Sequence, residues 1–95
     1  MSKRHIFALA AAGALALGLA SSASAANPGF CRDYAGAALR QVRGAWSHPA
    51  CRSQLQGARW SDEWRVHFDW CCGVDRDQAA SEREARRETL QDCAR

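Results

Sequence analysis

Three residues carry the sharpest chemical potential in this chain: His67, Cys71 and Cys72. A histidine and a cysteine four apart share one face of a helix and can both reach a soft metal, and the adjacent thiol of Cys72 would complete three ligands. The same letters also fit a histidine packed over a small core and a Cys71 consumed in a disulfide, which leaves no thiolate to bind anything. Beyond this set the chemistry thins out. After residue 25 only His48 and His67 remain, no serine or cysteine stands in a recognisable nucleophile setting, and there is neither a glycine-rich phosphate loop nor an active-site C-x-x-C. A short chain also has little room for a pocket that excludes water. The expectation is a protein that is not an enzyme and needs no cofactor.

Four tryptophans, Trp46, Trp60, Trp64 and Trp70, are the other conspicuous residues. They suit a stacking surface for sugar rings or a partner's apolar groove, but in a chain with little else to bury they are expected to make up the core, with Trp46 beside the loop left exposed as a contact residue. The element expected to position most of them is residues 57–72, read as one capped helix. Ser61 or Asp62 would cap it, Asp62 and Glu63 suit its positive end, and Gly73 in a left-handed conformation would end it. On that helix Trp60, Trp64, His67 and Cys71 share an edge, flanked by Phe68 and Trp70.

The chain has 95 residues and opens with a basic head, Lys3, Arg4 and His5, then an uncharged Ala- and Leu-rich run over 6–20, then a small-residue exit at Ala23-Ser24-Ala25. That order predicts a secretory signal peptide over 1–25, with cleavage after Ala25 or one residue later and no membrane span in what remains. Losing Lys3 and Arg4 leaves 11 basic against 10 acidic residues, a formal net charge of +1 where the whole chain has +3. Interleaved, nearly balanced charge gives little pull toward nucleic acid or an anionic membrane. About 70 residues remain as one domain, 26–95, a size at which a hydrophobic core supplies only about 3–5 kcal/mol. All five cysteines, Cys31, Cys51, Cys71, Cys72 and Cys93, lie in it, and export to an oxidising compartment makes disulfides the expected staples.

The periodicity predicts three main helices. In the first, Cys31, Tyr34, Ala35, Ala38 and Val42 form one stripe, preceded by a mobile Asn27-Pro28-Gly29 lead-in and ending near Gly44. The aromatic helix is the second. The third covers 75–94, about 27–30 Å long, with Ala79, Glu82, Arg86, Leu90 and Cys93 on its inward stripe. Two charges on that stripe admit two readings: a solvated Glu82–Arg86 pair at the core's edge, or an Arg86 that reaches across to Tyr34 or a carbonyl and fixes the packing. Between the first two helices, 49–56 is either a short helix presenting Cys51 and Leu55 or an irregular loop. The predicted fold is a small all-α, disulfide-stapled, up-down-up three-helix bundle with that segment as an extra short helix. In this order Cys31 meets Cys71 and Cys51 meets Cys93, closing loops of roughly 40 residues worth about 4 kcal/mol each. Nested pairing, Cys31 with Cys93 and Cys51 with Cys71, would need helices 1 and 2 to run parallel and stays open. Cys72 is left as a free thiol, as the link of a dimer, or as part of a strained alternative pairing.

Cys31-x-x-Tyr34-Ala35-x-x-Ala38-x-x-Gln41, Cys51, Gly57-x-Arg59-Trp60-Ser61, His67-x-x-Trp70-Cys71 and Glu82-x3-Arg86-x3-Leu90-x2-Cys93 together span nearly all of 26–95. This pattern resembles a group of small secreted alphaproteobacterial proteins of unassigned function. The resemblance implies a secreted, four-cysteine protein and carries no activity to transfer. In the group the position of Cys72 is not usually cysteine, and its segment around Cys51 contains glycine and phenylalanine that this chain lacks.

The functional expectation is a non-enzymatic, periplasmic or extracellular helical module that binds a protein or cell-wall component, with Trp46, Trp60 and Arg59 as contact candidates. Two alternatives stand beside it: a thiol- or metal-handling protein using His67, Cys71 and Cys72, and a secreted effector or inhibitor, for which near-neutral charge disfavours membrane lysis.

Overall fold

A computed structural model describes residues 24–95 of the chain. The signal-peptide reading of 1–25 lies, but for its last two residues, outside the described residues. The described chain is all helical: α1 spans Pro28–Trp46, α2 Trp64–Cys72 and α3 Arg76–Cys93, with short 3-10 segments at Pro49–Gln54 and Ala58–Trp60. The three α-helices run up, down and up, and α1 packs against both others. None of the described helices is long and apolar enough to cross a membrane.

Local chemistry sets the helix ends. The Asn27 side chain accepts a hydrogen bond from the Phe30 amide at 2.8 Å, and Pro28 occupies the first turn, where no amide hydrogen is needed. The expected mobile lead-in is therefore the anchored start of α1, and Ala26 before it donates its amide to the Val74 carbonyl at 2.8 Å. At the other end α1 continues past Gly44 to Trp46. Asp75 caps α3 by accepting from the Gln78 amide at 2.8 Å, and α3's 18 residues give a rod of about 27 Å.

The segment 57–72 departs from expectation, being two helical pieces and not one. Gly57 takes a φ of +89°, the left-handed region where glycine is favoured, and opens the 3-10 turn Ala58–Trp60. The chain then breaks at Ser61. Its hydroxyl accepts from the Glu63 amide at 3.0 Å, and its carbonyl accepts from the His67 ring at 2.7 Å. A serine that draws local amides to its side chain competes with helical pairing, so α2 starts three residues later. Gly73 ends α2 with φ −100°, outside the left-handed region predicted for it. The segment 49–56, left open between helix and loop, is a 3-10 helix over Pro49–Gln54 that buries Cys51, with Leu55 buried just beyond it.

Two disulfides join Cys31 to Cys71 and Cys51 to Cys93, with Cα–Cα distances of 5.5 and 5.0 Å. This is the pairing of an up-down-up order, and the nested alternative is excluded. Each bridge sits in its own small cluster. One holds Cys31, Tyr34, Ala38, Cys71 and Ala79, with Phe30 and Phe68 against it. The other holds Val42, Ala45, Cys51, Leu55, Trp60 and Cys93, with Leu90 against it. The predicted stripe of α1, Cys31, Tyr34, Ala35, Ala38 and Val42, is entirely buried.

The reading of the tryptophans as core is corrected for Trp64 and Trp70, while Trp46 is exposed as expected of a contact residue beside the loop. Trp60 is buried, whereas Trp46, Trp64 and Trp70 are 43%, 37% and 39% exposed. The break at Ser61 is the reason. It frees Trp60 to turn into the Cys51–Cys93 cluster and sets the register of α2 so that His67 and Cys71 face inward. Trp64 then stacks on Phe68 at 4.8 Å, and Trp70 leans over Tyr34 at 5.7 Å.

Candidate binding site

Arg86 is the polar centre of the molecule, carried by α3 between the residues it contributes to the two clusters, Ala79 before it and Cys93 after it. Its side chain is 0% exposed. Nε donates to Gln41 Oε1 on α1 at 2.8 Å, and the guanidinium carbon lies 5.1 Å from the centre of the Tyr34 ring. Nη1 and Nη2 find no hydrogen-bond partner among the described residues, nor does the buried Tyr34 hydroxyl. The solvated-edge reading of Arg86 is therefore overturned. The side chain crosses to Tyr34 and to a side-chain carbonyl of α1.

Glu82 stands one turn before Arg86, with Oε2 3.9 Å from Nη1, beyond hydrogen-bond reach. It is turned outward to Arg59, whose Nε and Nη2 donate to its two oxygens at 2.5 and 3.0 Å. This fork-to-carboxylate geometry raises the Arg59 pKa, chiefly through the hydrogen bond. Glu82 is thus committed to the rim arginine and only loosely to the buried one.

His67 is buried, and its Nε2 donates to the Ser61 carbonyl, which can only accept; the ring proton is therefore on Nε2. Burial lowers the His67 pKa, the Ser61 hydrogen bond opposes that, and the Arg86 charge adds to the lowering. At neutral pH the imidazole is uncharged. Burial pushes the Tyr34 phenol above its usual range, while Arg86 at close range pulls the other way without a hydrogen bond of normal geometry.

Tyr34, Arg59, His67, Trp70, Glu82 and Arg86 line one cavity of about 80 Å³. All six residues stand within the spaced pattern read from the sequence, but their convergence depends on the split of 57–72, which no periodicity announced. Arg86 was legible as an anomaly on an apolar stripe, and Tyr34 was named as its reach. The unmet donors on both residues were not legible.

The proposed metal set does not assemble. Cys71 is spent in a disulfide, His67 on the Ser61 carbonyl, and Cys72 is a half-buried free thiol. Among the described residues no group of three or more His, Cys, Asp or Glu side chains is placed to hold a metal ion. Among the contact candidates Trp60 is withdrawn, since it lies inside the second cluster; Trp46 is exposed at the end of α1, and Arg59 is held at the cavity rim. Compared with protein-family models, curated proteins and solved structures, the chain matches none.

Proposed function

We propose that the chain acts as a non-enzymatic, disulfide-stapled helical module of the bacterial cell envelope or exterior, binding a protein or cell-wall partner through its exposed indoles. The observation that carries the reading is that three tryptophans stay more than a third exposed on a frame tied by two disulfides. Exposed indoles on a rigid support lose little conformational freedom on contact and are favoured at the energetic centres of interfaces. Two disulfides and the lack of a membrane-crossing helix among the described residues are compatible with an envelope or secreted location.

The test is retention of envelope proteins and peptidoglycan fragments by the immobilised, oxidised chain 26–95, compared with Trp46→Ala and Trp64→Ala variants of unchanged helicity. The reading expects a component retained by the parent and reduced at least tenfold by one of the variants, the loss of a single hot-spot contact. Retention indifferent to both substitutions would count against it.

A further inference from the structure

Buried donors without acceptors are rare, and a buried guanidinium is more demanding than any other. Two residues that line the cavity carry three such groups between them: Nη1 and Nη2 of Arg86 and the hydroxyl of Tyr34. The charges around them do not balance. Arg59 and Arg86 contribute two positive charges, Glu82 one negative charge, and His67 is neutral at pH 7. One positive charge is left over, on the residue that solvent does not reach. The three donor atoms are closed to water in this arrangement, so no solvent hydrogen bond offsets that charge. Two coplanar terminal nitrogens match the two oxygens of a carboxylate, and a phenolic hydroxyl can donate to the same group. The cavity of about 80 Å³ has room for a carboxylate on a short carbon chain.

We propose that this cavity is a binding site for a small carboxylate, seated bidentately on Nη1 and Nη2 of Arg86 with the Tyr34 hydroxyl as a third donor. The carboxylate comes either as a free short-chain acid or as an acidic side chain of a peptide. Entry requires Glu82 and Arg59 to part at the rim, where both side chains keep contact with solvent, 21% and 44% exposed. Glu82 is the resident competitor, since it can swing from Arg59 toward Arg86 when the site is empty. The inference stands without the partner-binding reading: Trp46 and Trp64, the indoles that test that reading, do not line the cavity, and Trp70, which does, serves here only as a reporter.

The experiment is titration of the oxidised chain 26–95, followed by the indole N–H resonance of Trp70 and the Nε–H resonance of Arg86. The probes are acetate, an end-blocked peptide with one aspartate, and chloride at matched ionic strength. Saturable shifts with acetate or the peptide, and none with chloride, are expected. Saturation by acetate identifies a free acid, saturation by the peptide alone a side chain, and both outcomes support the site. Tyr34→Phe should weaken binding about tenfold, the loss of one hydrogen bond to a charged group. Glu82→Gln, which removes the competitor, should tighten it severalfold, and decides the matter if Tyr34→Phe does not fold. Trp64→Ala should leave it unchanged. No saturation by about 100 mM, a hundredfold above a millimolar Kd, overturns the proposal, as do shifts equal to those with chloride or affinity indifferent to Glu82→Gln.

Discussion

Replacing Arg86 by methionine should leave the stability of the fold nearly unchanged, although it removes the most deeply buried charge among the described residues. The losses can be named. Methionine forfeits the hydrogen bond to Gln41, worth about 1.5–3 kcal/mol for a charged donor, and the cation over the Tyr34 ring, worth up to about 2 kcal/mol when desolvated. Against these stands the desolvation of a guanidinium with two unmet nitrogens, several kcal/mol per ion. Breaking a buried ion pair is severe when it strands the other charge, but here Glu82 keeps Arg59 and partial access to water. Gln41 keeps its bond to the Arg83 carbonyl at 3.0 Å and is only half-buried, so its freed oxygen can meet solvent. The opposing effects cancel to within about 2 kcal/mol. Arg86→Ala adds a cavity and should fall about 2–5 kcal/mol below the methionine variant. Urea unfolding of the three proteins measures both gaps. A methionine variant as unstable as the alanine variant would refute the reasoning, because the guanidinium would then be holding the fold together.

Trp60→Ala should cost about 3–5 kcal/mol and Trp46→Ala less than about 1 kcal/mol, read as urea midpoints, since the first ring fills the Cys51–Cys93 cluster and the second is exposed. Acidification should weaken the fold through His67. Its folded pKa is depressed by burial below the ordinary 6.5, so the unfolded chain binds the proton first, and stability is lost as pH falls below about 6.5; His67→Gln should flatten that slope in urea midpoints. A chain beginning at Asn27 should be about 1–2 kcal/mol less stable than one beginning at Ala26 in the same assay. It loses the bond to the Val74 carbonyl and a buried methyl group.

The parts legible in the sequence were those with a simple period. The buried stripe of α1 and the α3 stripe with its inserted charges follow directly from the spacing of apolar residues in a helix, and the bundle order that brings Cys31 to Cys71 and Cys51 to Cys93 follows from three such helices in succession. The aromatic stretch was misread because Trp60, Trp64, His67 and Cys71 also match a helical period. What broke the helix was not a pattern but a pair of hydrogen bonds, Ser61 to the Glu63 amide and His67 to the Ser61 carbonyl, and the second depends on tertiary packing. The cavity depends on the same break. Arg86 stood out on its stripe, yet its two partnerless nitrogens become evident only once Glu82 is seen turned toward Arg59, on a segment 23 residues away in the chain.

The account rests on two covalent bridges doing what a thin core, mostly alanines and cysteines with Tyr34, Val42, Leu55 and Trp60, cannot. In the chain-entropy picture each bridge contributes about 4 kcal/mol, against a core worth about 3–5 kcal/mol at this size. The direct test is the helical circular dichroism of the chain 26–95 followed through heating, oxidised and then fully reduced with all thiols alkylated. The oxidised chain should melt in one cooperative transition, and the reduced chain should have lost most of its helix already at 25 °C. Equal helicity and an unchanged melting temperature after reduction would contradict the account.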